Sequence, residues 1–214
     1  MSALRSTLVS EGPSDAALLH PLRWLLQANG VDRPIESMWA DLRPFPRPVS
    51  DLEHKIRAAL EFYPCDLLFV HRDADREPRA KRVQEIRSAI QRISSDFFAG
   101  RPYVCVVPVR MTEAWLLFDE AAIRQAAGNP GSTTPLCLPP VSKVEDIPDP
   151  KAVLNEALQR ATDKPPRRLR KFRPGQAVQR LAELIQDYSP LRKATAFQTL
   201  EQELQAVLGE INSK

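Results

Sequence analysis

Two runs in this chain are apolar at every position, Leu67-Leu68-Phe69-Val70 and Tyr103-Val104-Cys105-Val106-Val107. A strand covered on both faces has no polar side, so each run predicts a central strand of a parallel sheet. Residues 4–10 read as a first short strand and 37–42 as a weaker one. Between the strands, apolar residues recur at helical spacing: Ala17, Leu18, Leu22, Leu25 and Leu26 in 15–28, then Ile56, Ala59 and Leu60 in 51–62. Val83, Ile86, Ile90 and Ile93 predict a helix over 81–98, and Trp115, Leu116 and Leu117 open another over 111–127. Strand and helix thus alternate, with a proline-rich connection at 44–48, which is the pattern of a doubly wound α/β fold. The expected architecture is a mostly parallel sheet of about four strands flanked by helices.

Composition changes after Gly128. Residues 129–150 are rich in Pro, Gly, Ser and Thr and read as a long loop or linker. Helices are expected over 149–161, 174–187 and 195–211, which makes 1–128 a core and 129–214 a linker with a helical extension packing on it. Trp115 and its apolar neighbours read as core packing.

The polar residues that end the strands carry the candidate chemistry. Glu11 and Asp15 follow the first strand, Asp73, Asp75 and Glu77 the third, and Glu113 the fourth. In a parallel sheet these loops share the carboxyl edge, where open α/β folds bind ligands. Asp73 and Asp75, one residue apart, are expected to turn their carboxylates toward one point. Clustered carboxylates repel and raise one another's pKa values unless a cation sits among them. An all-oxygen set suits Mg²⁺ or Mn²⁺, and two such ions serve phosphodiester hydrolysis. His71 precedes the aspartates and is expected to turn away from them as a core or rim residue. Glu113 reads either as a further ligand or as an acid in the first turn of a helix.

Charge adds one feature. The net charge of +3 is only mildly basic, but 164–173 hold six cations and no acid, Arg167, Arg168, Arg170 and Lys171 among them. This stretch reads either as a solvated loop or as a phosphate-binding surface. Arg72 and Arg76 flank the acidic loop, where they either contact a phosphate or balance the carboxylates. Three cysteines without close Cys or His neighbours suggest reduced thiols rather than a zinc site. With no long apolar segment and no signal-peptide core, a soluble, cytoplasmic protein that makes no membrane contact is expected. Oligomeric state is left open.

The segment Leu8-Val9-Ser10-Glu11-Gly12-Pro13-Ser14-Asp15, joined with Asp73-Ala74-Asp75, resembles the Toprim signature. That fold is shared by topoisomerases, bacterial primases and nucleases of the overcoming-lysogenization-defect type. The segments Glu113-Ala114-Trp115-Leu116-Leu117-Phe118-Asp119, Ile147-Pro148-Asp149-Pro150-Lys151 and Ser189-Pro190-Leu191-Arg192-Lys193 are similar to a Toprim-like family of unknown function encoded beside an ATPase in bacterial defence loci. The resemblance implies a metal-dependent nuclease, with Glu11 and Asp15 holding one Mg²⁺ or Mn²⁺ ion and Asp73 and Asp75 another. It further implies that a lysine beyond the core assists the transition state, and Lys151 is the candidate, although by sequence alone it reads as a solvent-exposed helix start. The implied substrate is nucleic acid, DNA ahead of RNA, and the implied partner is an ATPase of the ABC or overcoming-lysogenization-defect type. Two alternatives stand beside this reading: a non-catalytic Toprim subunit that binds nucleic acid or the ATPase, and an RNA-cleaving enzyme.

Overall fold

A computed structural model describes residues 2–44, 51–98, 100–169 and 172–212. The proline-rich connection, apart from its first residue, and the cations Arg170 and Lys171 lie outside the described residues. Four strands, β1 (Leu4–Val9), β2 (Ile35–Trp39), β3 (Leu67–His71) and β4 (Tyr103–Val106), form one all-parallel sheet in the order β2-β1-β3-β4. The α/β parallel sheet flanked by helices is the expected architecture and is consistent with a Toprim-like fold. β3 is buried at every position, as its unbroken apolar run requires. β2 begins two residues earlier than the pattern suggests because Ile35 is the residue that reaches the core.

Helices cover both faces. On one side α2 (Leu52–Phe62) and α3 (Arg79–Arg92) pack on Val9, Leu68, Val70 and Cys105 through Ile56, Leu60, Val83 and Ile86. On the other, Leu4, Leu8, Leu67, Phe69 and Val104 meet α1 (Leu19–Ala28) and the later helices in a second core. Those are α5 (Glu120–Ala126), α6 (Pro150–Ala161), α8 (Pro174–Leu184) and α9 (Thr195–Asn212). Two single-turn helices, α4 (Ser95–Phe98) and α7 (Pro166–Leu169), complete the set. Among the described residues no helix is long and apolar enough to cross a membrane.

The expected long helices are broken where a side chain competes with the backbone. The 81–98 element turns extended at Ile93 (ψ 132°), which buries that side chain, and resumes at α4. The 111–127 element starts as a 3₁₀ turn (Thr112–Leu116), and Asp119 then caps α5 by accepting from the Ala122 N–H at 2.9 Å. Residues 129–150, expected as a loop or linker, send Leu136 and Val144 into the same core as β1. A 3₁₀ turn, Val141–Asp146, supplies Val144.

Phe197 of α9 is fully buried and meets Trp115 edge to face, with ring centroids 5.3 Å apart. The second core therefore joins α9 to the segment that carries Glu113. Phe197→Ala is expected to cost about 3–5 kcal/mol in urea unfolding; a loss below about 1 kcal/mol would mean that α9 is not part of that core.

Candidate metal centre

The sheet order places β1 and β3 side by side while their outgoing connections run to opposite edges, α1 toward β2 and α3 toward β4. This is the topological switch point, and the crevice at the carboxyl ends of β1 and β3 is where such sheets hold ligands. The register pairs Val9 with Val70, so two residues further on Glu11 stands level with Arg72. They form an ion pair at 2.5 Å, and Arg72 also approaches Glu85 of α3 at 3.6 Å.

Beyond its last ladder position, β3 keeps hydrogen-bonding to the chain that continues β4. The Arg72 N–H donates to the Val106 carbonyl and the Ala74 N–H to the Pro108 carbonyl, each at 3.1 Å. Extended backbone preserves the two-residue alternation. His71 and Asp73 therefore share one face, while Arg72 and Ala74 take the other. The expectation that His71 turns away from the aspartates is thus corrected, and its Nε2 lies 3.3 Å from Asp73 Oδ1. The alternation ends at Asp75, whose φ of 54° is left-handed. This turn aims Asp75 at Arg82 (3.1 Å) rather than at the point Asp73 faces.

Asp15 comes to the same face from the 3₁₀ turn Pro13–Leu18 that follows β1. Its Oδ2 accepts from the Gly12 N–H at 2.9 Å and its Oδ1 from the Ser14 hydroxyl at 3.2 Å, which hold the carboxylate inward. From α8, Gln179 donates to the Ser14 carbonyl at 2.7 Å, so this loop is tied down from the helical half of the chain. Lys55 of α2 braces it from the other side, donating to the Glu11 carbonyl at 3.2 Å.

Asp15, His71 and Asp73 form a cluster able to hold a metal ion, each offering a ligand atom within 4.8 Å of the others. Asp73 Oδ1 accepts from the Thr112 N–H at 3.0 Å, and the Thr112 hydroxyl lies 3.1 Å from His71 Nε2. His71 Nδ1 is buried without a hydrogen-bond partner among the described residues. An orphaned nitrogen on an imidazole clustered with a buried and a half-buried carboxylate fits a cation site, since such a group otherwise costs free energy. A cavity of about 270 Å³ lined by Ser10, Glu11, Lys55, His71 and Arg72 opens beside it.

The electrostatics match this geometry. Burial, then the nearby charges of Asp15, Glu11, Glu113 and Asp75, push the Asp73 carboxyl up to about 8. Burial also pushes His71 down to about 4, with Asp15 opposing and Arg72 adding to the shift. At neutral pH, without a cation, the His71–Asp73 approach is therefore a contact between neutral groups. The acids on the rim are paired with cations: Glu11 with Arg72, Asp75 with Arg82, both arginines also reaching Glu85, and Glu113 with Lys151 at 3.8 Å. Burial raises the Glu113 pKa, partly offset by a backbone hydrogen bond and by Lys151. Among the described residues neither Asp15 nor Asp73 is paired with a lysine or arginine. The centre of the cluster thus lacks the cationic partners that the acids on its rim have.

Of the residues singled out from the sequence, Glu11, Asp15, Asp73, Glu113 and Lys151 converge on this crevice. Asp75 lies at its edge, held by Arg82, and Arg72 balances Glu11 and Glu85. Arg76, Arg167 and Arg168 are exposed, the last two on α7. Thr112 and Arg82 carried no sequence signal, because each reaches the site across a tertiary contact. His71 did carry one, the two-residue spacing from Asp73 on an extended segment. No protein-family model, curated protein or solved structure matches the chain.

Proposed function

We propose that this protein is a divalent-metal-dependent nuclease that hydrolyses DNA phosphodiester bonds. The observation that carries the reading is the charge-poor centre, in which Asp15 and Asp73 lack a lysine or arginine partner among the described residues while Glu11, Asp75 and Glu113 each have one. Asp15, Asp73 and His71 would hold the ion. Carboxylate oxygens favour Mg²⁺ or Mn²⁺, and the imidazole shifts the preference toward Mn²⁺. A bound divalent ion supplies a polarised water and stabilises the charge that develops on the phosphate. His71, neutral at physiological pH, serves as a lone-pair donor and adds no competing charge. Lys151 stands on the rim beside Glu113 with a largely exposed side chain, placed to meet a phosphate oxygen. A second ion, which the motif resemblance implies, would recruit Glu11 and Asp75 from Arg72 and Arg82.

The same resemblance supports a role as the effector subunit of an ATPase-linked anti-phage defence system in the cytoplasm. A second reading, a non-catalytic subunit that binds nucleic acid or the ATPase, is favoured by the arginines on Glu11 and Asp75, which leave three ligand groups in the centre.

Cleavage of supercoiled plasmid by the purified chain in Mg²⁺, Mn²⁺ and EDTA tests the proposal. Nicked or linear product is expected with either ion, more with Mn²⁺, and none in EDTA. Cutting that persists in EDTA would remove the metal role. Failure to cut DNA, combined with RNA cleavage, would give the RNA-directed enzyme, whereas metal-independent binding with no cleavage of either polymer would give the non-catalytic subunit.

A further inference from the structure

Away from the acid cluster, Lys164, Arg168 and Phe172 come together with the start of α8 around a groove of about 310 Å³. Lys164, Arg168, Arg173 and Arg180 line it, Phe172 supplies an aromatic wall, and Ala126 and Ala177 form the floor. No acid lines it. The ion pairs of this half of the chain use other cations, Arg124 with Glu120, Lys143 with Asp146, Lys151 with Glu113, Arg160 with Glu156 and Arg192 with Glu201. Among the described residues, none of the four groove cations is in an ion pair. Asp163, the acid next to Lys164, is occupied by the Asn129 amide at 3.0 Å and by the Thr134 hydroxyl. Four like charges converging on one concavity repel, and a polyanion relieves that repulsion.

The groove is physically connected to the acid cluster. Arg173 at the N-cap of α8 and Gln176 and Arg180 on it follow one another at helical spacing, and Gln179 lies beside that stripe. Gln179 donates to the Ser14 carbonyl at 2.7 Å, in the loop that positions Asp15. From Gln179 to Arg173 the helix rises about 9 Å. One rigid element thus carries both the contact to the Asp15 loop and the rim of the cationic groove.

We propose that this groove grips the phosphate backbone of the substrate strand a few nucleotides from the bond cleaved at Asp15, His71 and Asp73. Lys164, Arg168, Arg173 and Arg180 contact phosphates, and Phe172 supports a sugar or base. The site of cutting and the site of grip are then separate surfaces, set at a fixed spacing by α8. This rests on the nuclease reading for its substrate, but the grip itself is measurable without cleavage.

The experiment uses the full chain and a fluorescein-labelled single-stranded 20-mer in EDTA, with anisotropy followed across a salt series. Replacing two cations, Arg173→Gln with Arg180→Gln, is expected to weaken binding about 20-fold near 0.1 M salt and to lower the log–log salt slope by about 1.4. The charge-matched pair Lys143→Gln with Lys193→Gln, outside the groove, is expected to leave both unchanged. A parallel assay measures hydrolysis of bis(p-nitrophenyl) phosphate, too small to span the two surfaces, with Mn²⁺. The groove variant is expected to retain that rate, which also shows that it is folded. Equal losses of oligonucleotide binding in the groove and control pairs, or none in either, would overturn the grip. Absence of diester hydrolysis in the wild type, with a groove-dependent salt slope intact, would overturn the nuclease reading and leave the grip standing.

Discussion

Asp73→Asn is expected to lower plasmid cleavage by roughly three orders of magnitude, equivalent to about 4 kcal/mol of transition-state stabilisation. The amide keeps an oxygen to accept the Thr112 N–H, now bonded at 3.0 Å, so the fold should be retained. What it loses is the ability to carry negative charge toward a cation. Asp75→Asn provides the comparison: its carboxylate already pairs with Arg82, and its loss should cost less than about tenfold if a single ion at Asp15, His71 and Asp73 suffices. Rates of nicking, read beside the melting temperature of each variant, decide the matter. A folded Asp73→Asn protein with wild-type activity would sink the metal role of this residue. Equal, large losses in both variants would show that Asp75 leaves Arg82 and joins a second ion.

The second large effect is on stability against pH in the absence of metal. The Asp73 carboxyl releases its proton near 3.8 when unfolded but near 8 in the fold. Between these values the native state binds the extra proton, so this group makes stability fall as pH rises. His71 acts in the opposite sense, taking up a proton below 6.5 when unfolded but only below about 4 when folded. Stability linked to His71 therefore rises with pH up to 6.5. The two slopes offset each other over that lower window. From 6.5 to 8 His71 no longer opposes Asp73, which contributes about 1.4 kcal/mol per pH unit, for a loss of about 2 kcal/mol. The raised Glu113 carboxyl has the same sign.

Urea unfolding in EDTA across this range should show a plateau and then a decline, and Asp73→Asn should flatten the decline. Mn²⁺ should restore more stability at pH 8 than at pH 6.5, because binding it at the lower pH must displace the Asp73 proton. A profile in EDTA that rises through neutrality would show that Asp73 is ionised in the metal-free fold, contrary to its burial among acids.

Much of the sheet was legible along the chain because a strand sealed on both faces cannot hide its composition. β3 and β4 follow from their unbroken apolar runs, and the alternation of strand with helix follows from the change of period. Element ends were less legible. Nothing local marks Ile93 as the point where a helix stops to bury a side chain, or Asp119 as a cap inside an apolar stretch. The proline-rich 129–150 segment has the composition of a linker, yet Leu136 and Val144 are core residues, because burial depends on what lies opposite.

For the site, local sequence determined which acids end which strands, and parallel topology then forced Glu11, Asp15, Asp73 and Glu113 toward one edge. It could not determine which of them share a centre. That depends on the extended backbone through Arg72, which puts His71 beside Asp73, and on the left-handed turn at Asp75, which gives its carboxylate to Arg82. It also depends on partners far away in sequence: Thr112 on Asp73, Lys151 on Glu113, and Gln179 on the loop of Asp15. Residue type and spacing fix the inventory of charges. Only the tertiary structure decides which charges neutralise one another and which are left for a cation, because pairing is a matter of a few ångströms across the fold.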